Sequence, residues 1–330
     1  MGEVEVIQPG MLSSVQDAGR RGYRHAGVPE SGAFDDVALS VGNRLLGNVS
    51  SAAAVEMTMV GGEFRFTEST AVCMTGALGD GALVTDDGCE YPLEWNRPFV
   101  VPSDSRIRVG RFSNGARGYL CIAGGFSTRA ILKSRSALVS LPDAGLGRRL
   151  QVGDCLEFDE HGARSSPTEI LESFNVPAQL IDRPRSLRIV EGAHTEMFTN
   201  ADRDALGDTS YSVSNQSNRA GIRLQGLRIM GDQPNRVASE GTLLGYVQVP
   251  ASGEPIVLGV DGPVTGGYPV IACVIKADLA ALAQVSIREQ IRFRWVSRQD
   301  ALDAYAELQS LIQTVQATRP VKLTGGKNNA

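Results

Sequence analysis

Residues 54–66, AVEMTMVGGEFRF, carry the pattern from which the fold is read. Val55, Met57 and Met59 fall on one side of an extended chain and Glu56 and Thr58 on the other, the period of two that marks a strand. Gly61-Gly62 interrupts the run and EFRF resumes it. The same habit recurs in AVCMT (71–75), ALVT (82–85), FVV (99–101), RIRVGRF (106–112) and YLCIAGG (119–125). In RIRVGRF the arginines 106, 108 and 111 alternate with Ile107 and Val109 before Phe112, as on a strand with one wet face. VEVIQ (4–8), closed by Pro9-Gly10, precedes this region, and GRRLQVGDCLEF (147–158) ends it.

A second β-rich region holds LRIVEG (187–192), GIRLQG (221–226), TLLGYVQVP (242–250), PIVLGVDG (255–262), YPVIACVIK (268–276) and QIRFRWV (290–296). Between the two, residues 161–184 are polar, proline-containing and non-periodic, as in a linker. Helices are few. Asp35 and Asp36 supply a cap and negative charge, Val37, Val41 and Leu45 share a face, and Gly47 stands where a C-terminal glycine belongs. A short helical piece is expected over 194–200, another over 277–284, and an amphipathic helix over 299–318 with Leu302, Tyr305, Leu308, Ile312 and Val315 on one face. The tail from Arg319 is expected to fray. VGDCLEF (152–158) and REQIRFRW (288–295) each close a run of strands, so the expected fold is mainly β in two similar barrel-like halves. The implied division is 1–180, 181–297, and a terminal helix and tail over 298–330.

The net charge of −5 with interspersed signs points away from nucleic acid, and no apolar run is long enough to cross a membrane. The N-terminus lacks the basic-then-apolar order of a signal peptide, so a cytoplasmic protein is expected. The five cysteines are scattered without a CxxC pair and read as buried free thiols. The three histidines lack metal-ligand spacing, so no metal site is expected. Phosphate-loop, nucleophile-elbow, HExxH and GxGxxG patterns are missing.

Three clusters carry too much polar chemistry for ordinary connectors. Residues 15–46 interleave Gly19, Gly22, Gly27 and Gly32 with Gln16, Asp17, Arg20, Arg21, Arg24, His25 and Glu30. Such a loop is either a binding surface for an anion or polar molecule, or an Ω-loop braced by its own salt bridges. In SNQSNRAGIRL (214–224), Arg219 and Arg223 offer planar donor forks to a carboxylate or phosphate, or form surface salt bridges. In residues 245–274, Gln248 sits between Val247 and Val249, and Asp261 precedes a Gly-rich turn with Thr265 and Tyr268. That turn either shapes a pocket or is a hairpin with Tyr268 in the core. Glu56 either faces solvent or is buried with a cation such as Arg20 or Arg223.

The run QPGMLSSVQDAGRRGYRHAGVPESGAFDDVALSVGNRLLGN (8–48) resembles the N-terminal signature of the allophanate hydrolase subunit 2 family, the carboxyltransferase A/B subdomain proteins. That family includes the C-type component of 5-oxoprolinase and the Kip-type antagonists. The resemblance continues through AAVEMTMVGGEFRF, YLCIAGGF, SRSALVS, GRRLQVGD, SNRAGIRLQG and 245–284, spanning about residues 4–295 in order. Lys133 stands where the family usually has glycine before Ser-Arg-Ser, Ala144 replaces the first of a Gly-Gly pair, and Phe34 replaces methionine.

The resemblance implies two cyclophilin-like β-barrel subdomains and a companion chain, similar to allophanate hydrolase subunit 1 or to the B-type component of 5-oxoprolinase, with a third protein similar to its A-type component. It also implies ATP-dependent opening of 5-oxoproline to glutamate, with ATP and Mg²⁺ as cofactors. On that reading Gln16, Arg20, Arg219, Arg223, Gln248, Asp261, Thr265 and Tyr268 would bind substrate or phosphate, and Asp17, Asp35 or Glu56 would act catalytically. Two other functions fit the family. One is the carboxyltransferase component of a biotin-dependent urea or amide carboxylase, with biotin carried elsewhere, since this chain lacks a Met-Lys-Met site. The other is a non-catalytic Kip-type protein that binds its companion.

Overall fold

The computed structural model describes residues 2–159, 176–231 and 236–317. Its first part contains β1 (Gly2–Gln8), β2 (Leu12–Gln16), α1 (Asp36–Leu45), β3 (Ala54–Thr58), β4 (Glu63–Phe66), β5 (Thr70–Gly76), β6 (Gly79–Val84), β7 (Glu90–Pro92), β8 (Pro98–Val101), β9 (Arg106–Phe112), β10 (Arg117–Ile122) and β11 (Cys155–Phe158). These strands make two sheets, β11-β1-β4-β9-β6-β7 and β2-β3-β10-β5-β8. The apolar sides close on one core, where Val4, Phe64 and Ile107 of the first sheet meet Val55, Met57, Phe99 and Leu120 of the second. The mainly β architecture is as expected, with this half built as two facing sheets around a shared core.

The second part contains β12 (Ser186–Glu191), α2 (Asn200–Asp208), β13 (Ser210–Val213), β14 (Gly221–Gln225), β15 (Glu240–Gly241), β16 (Tyr246–Gln248), β17 (Ile256–Leu258), β18 (Thr265–Gly266), β19 (Val270–Val274), α3 (Leu279–Ala283), β20 (Gln290–Trp295) and α4 (Arg298–Thr314). Here the barrel is closed, in the order β12-β19-β16-β17-β14-β13-β20. The closing pair, β12 with β20, is parallel, with Leu187 opposite Phe293. Phe34, from the loop after β2, packs into the barrel's core with Val213, Ile222 and Val257. One residue of the first half thus helps to fill the second.

α1 lies on the outer face of β5 and β10. Asp35 caps it by accepting the Ala38 amide at 2.8 Å. Gly42 is needed where the helix crosses the sheet, because a Cβ there would lie 2.6 Å from Cys121 Sγ. α4 in turn rests on α1: Arg44 Nε donates to the Val315 carbonyl at 2.9 Å, and Leu308, Leu311, Ile312 and Val315 join the α1 cluster.

Several expectations change. β3 ends at Thr58, because Met59 turns into the left-handed region at φ 63°. Leu302 and Tyr305 of α4 are 55 % and 37 % exposed, so only the C-terminal end of the expected stripe packs. The piece expected over 194–200 is a 3-10 turn, Thr195–Met197, and the true helix, α2, begins where that piece was to end. Cys73 and Cys121 are buried, but Cys89 and Cys155 are exposed and Cys273 is half-buried. Most of the expected linker and the tail lie outside the described residues. The linker's last part is packed, with Val176 and Leu180 against α1.

Candidate functional site

The loop between β2 and α1 is closed at its base by backbone bonds. Arg20 N donates to Glu30 O at 2.8 Å and Ala33 N to Asp17 O at 2.9 Å. Gly19 and Gly32 are required at this neck, since a Cβ on Gly32 would lie 2.9 Å from Gly19 N. Asp17 organises the neck. Its carboxylate accepts from the Gly19 amide at 2.8 Å, the Ser134 hydroxyl at 2.6 Å, the Arg135 amide at 2.6 Å and the Ser136 hydroxyl. Gln16 donates to Ser14 Oγ and to Ala137 O. Arg20, 1 % exposed, donates from Nη2 to Ser136 O, while its Nε and Nη1 have no partner among the described residues. Burial pulls its pKa below the ordinary arginine value, against the opposing pull of Asp17 and Asp261. At the loop's tip Arg24 donates to the carbonyls of Thr242 and Val264, docking the loop on the barrel.

Beneath the loop, a buried charge network joins the two halves. Glu56 on β3 and Tyr119 on β10 face each other across the sheet, and Arg219 comes from the turn before β14. Glu56 Oε1 accepts from Arg219 Nη1 at 2.6 Å, while Oε2 accepts from Tyr119 Oη at 2.6 Å and the Phe34 amide at 2.8 Å. Arg219 also donates to both oxygens of Asp261, at 3.0 Å each, and to Gly32 O at 2.7 Å. Burial pushes the Glu56 carboxyl up, but Arg219, Arg117, the Tyr119 hydroxyl and the Phe34 amide outweigh it, and the net shift is downward. Burial likewise opposes the Arg219 charge, and Asp261 and Glu56 more than restore it. Asp35 is held by Gln284 Nε2 at 2.8 Å and by Arg183 at 3.2 Å. Arg117 stacks over the Phe34 ring at 4.3 Å from its centroid.

These placements separate the expected site residues. Glu56, Asp35, Arg219 and Asp261 are brought together and bound within the seam, leaving little capacity for an added ligand. Asp17, Gln16 and Arg20 form the neck. Gln248 is buried with its amide beneath Gly266. Thr265 is exposed, and Tyr268 is 41 % exposed, outside the core. Arg223 is exposed and lines a separate pocket with Gln216 and Glu254. The arginines therefore do not converge on one phosphate, and among the described residues no group of three or more His, Cys, Asp or Glu is arranged for a metal ion.

A cavity of about 450 Å³ opens where the loop meets the barrel mouth. Arg21, Arg24, Glu30 and Ser31 form the loop wall; Thr242, Leu243, Leu244, Leu258, Val260, Pro263, Cys273 and Leu279 form the barrel wall, with Lys276 at its edge. A few polar groups over an apolar lining is the usual make-up of a small-molecule site. Lys276 is paired with Asp36 at 2.6 Å, whereas Arg21 and Arg24 have no carboxylate partner among the described residues. Sequence reasoning missed Ser31, Lys276, Arg117, Tyr119 and Gln284 as site or seam residues. Ser31 was visible only as part of PESGAFD.

Comparison with known proteins shows the family of the chain. The family profile described as "Carboxyltransferase domain, subdomain A and B" matches residues 26–295. The chain is 35 % identical to the C component of 5-oxoprolinase from Escherichia coli over 93 % of its own length and 95 % of that protein's. It is 34 % identical to the corresponding 5-oxoprolinase C component of Haemophilus influenzae over 90 % of its length and 93 % of that protein's. Among solved structures, the urea amidolyase of K. lactis superposes with a TM-score of 0.84 at 26 % identity. That match covers 98 % of this chain but only 20 % of the larger enzyme. Among the described residues, no helix is long and apolar enough to cross a membrane.

Proposed function

The chain belongs to the carboxyltransferase A/B subdomain family, and we propose that it serves as the C-type component of an ATP-dependent 5-oxoprolinase. The observation that carries this reading is the end-to-end match, 93 % of this chain against 95 % of the Escherichia coli protein. In this reading the protein works with companion subunits that supply the ATP site. Ring opening adds one water across a resonance-stabilised amide C–N bond and leaves an amine and a carboxylate. This chain's part is to receive the lactam in the loop–barrel cavity. Arg21 and Arg24 face its carboxylate, the leucine wall holds the ring, and the Glu56–Arg219 network keeps the two walls in register.

The test is glutamate formation from 5-oxoproline by this chain mixed with its companion subunits, with and without ATP. ATP-dependent glutamate supports the reading, and no turnover by the complete set overturns it. The fold match to urea amidolyase over 98 % of the chain favours a second reading, a carboxyltransferase component. Transfer of the carboxyl group from a carboxylated biotin carrier to urea, in the same reconstitution, would establish that alternative.

A further inference from the structure

Ser31 combines a left-handed backbone with a buried, unpaired side chain at the loop neck. It sits at φ 54°, where glycine is favoured, and it is only 6 % exposed. Its amide donates to Val260 O at 3.1 Å, tying the loop to the barrel, yet its hydroxyl has no partner among the described residues. Asp17, by contrast, accepts four hydrogen bonds at the other side of the neck. A left-handed backbone and an unpaired buried hydroxyl each cost free energy, and glycine would remove both costs. Ser31 also lines the cavity beside Arg21 and Arg24. Ser31 is strained, lines the cavity and carries a buried, unsatisfied hydroxyl, and the three together point to a ligand as that hydroxyl's partner.

We propose that Ser31 is a substrate-binding residue whose hydroxyl bonds the polar head of a small organic monoanion in this cavity. This rests on the reading of the cavity as the substrate site. The charges on its wall select the class. Arg21 and Arg24 favour one carboxylate, Glu30 disfavours a second and accepts an N–H, and the leucines of the barrel wall take the apolar part.

The experiment compares Ser31→Ala and Ser31→Gly in the reconstituted complex with 5-oxoproline as the probe. Loss of one hydrogen bond predicts a KM raised about tenfold in both variants, with kcat little changed. The thermal midpoint of Ser31→Gly should not fall below that of wild type, because glycine suits the backbone. A wild-type KM in Ser31→Gly would overturn the proposal. Crystals soaked with 5-oxoproline and, in a second arm, with free biotin decide it without turnover. Either molecule within hydrogen-bond distance of the Ser31 hydroxyl upholds it, and neither molecule there overturns it. A wild-type complex that opens no 5-oxoproline would sink the proposed function, while the soaks still decide Ser31.

Discussion

Arg219 of the barrel and Glu56 of the neighbouring sheet meet at 2.6 Å, with side chains 3 % and 1 % exposed. Each is bonded further within its own half, Arg219 to Asp261 and Glu56 to Tyr119. The pair therefore acts as a rivet between two cores, alongside the Phe34 ring that crosses from one to the other. Removing one member strands the other's charge in a dry site. Arg219→Met should cost about 3–5 kcal/mol of stability, read from urea unfolding at neutral pH, since breaking a buried pair leaves an uncompensated charge. A loss below about 1 kcal/mol, the range of an exposed pair, would contradict the burial.

The same pair sets an acid limit. The folded pKa of Glu56 lies below its ordinary value of 4.5, so the unfolded chain takes up the proton first as pH falls. Its contribution to stability is complete above pH 4.5 and is lost as pH drops through the lowered folded value. Glu56→Gln should be less stable than wild type at neutral pH and show a shallower loss of stability below 4.5. Parallel wild-type and variant profiles across that window would refute the assignment.

The strands were legible because alternation encodes burial directly, as in Arg106–Phe112, where exposed and buried residues alternate over the first four positions. The site was less so. Glu56 reads either as solvent-facing or as buried with a cation such as Arg20 or Arg223. It is buried, and its cation is instead Arg219, 163 residues away, a partner that spacing along the chain cannot name. A buried carboxylate in a strand looks the same in sequence whether it binds substrate or joins two halves. Ser31 carries no signal of its own, because its meaning depends on a φ angle and on a missing partner. The stripe on α4 misled in a different way. Its periodicity is real, but the face that packs runs through Ala301, Ala304, Leu308 and Leu311, and Leu302 and Tyr305 lie off it.

That reading of α4 separates two leucines by their positions on one helix. Leu308 packs against the α1 cluster, while Leu302 is 55 % exposed. Leu308→Ala should destabilise by about 1–3 kcal/mol through lost burial, and Leu302→Ala by no more than about 0.5 kcal/mol. Equal effects in thermal unfolding would place Leu302 on the packed face as well.

Lys133 carries a backbone conformation that favours glycine. It occupies the left-handed region at φ 62° and is exposed. Lys133→Gly removes the Cβ clash and adds chain entropy to the unfolded state. The first effect outweighs the second, so a gain of about 0.5–1 kcal/mol is expected. A lower melting temperature for the variant would show that the lysine side chain makes a contact worth more than the strain.

The cysteines report both burial and the cavity. Cys89 and Cys155 are exposed and should be alkylated first by iodoacetamide at pH 8, with mass spectrometry resolving each site. Cys273 is half-buried, and burial pushes its thiol up to about 11. Only about one molecule in a thousand then carries the reactive thiolate at pH 8, so this residue should follow slowly. Cys121, pushed up to about 12 by burial, should stay unmodified until the chain unfolds. Cys73, fully buried beside it and likewise pushed up, should behave the same way. Because Cys273 lines the loop–barrel cavity, saturating 5-oxoproline should slow its reaction and leave Cys89 and Cys155 unaffected. Protection of the two exposed thiols as well, or of none, would place the ligand somewhere other than between the loop and the barrel.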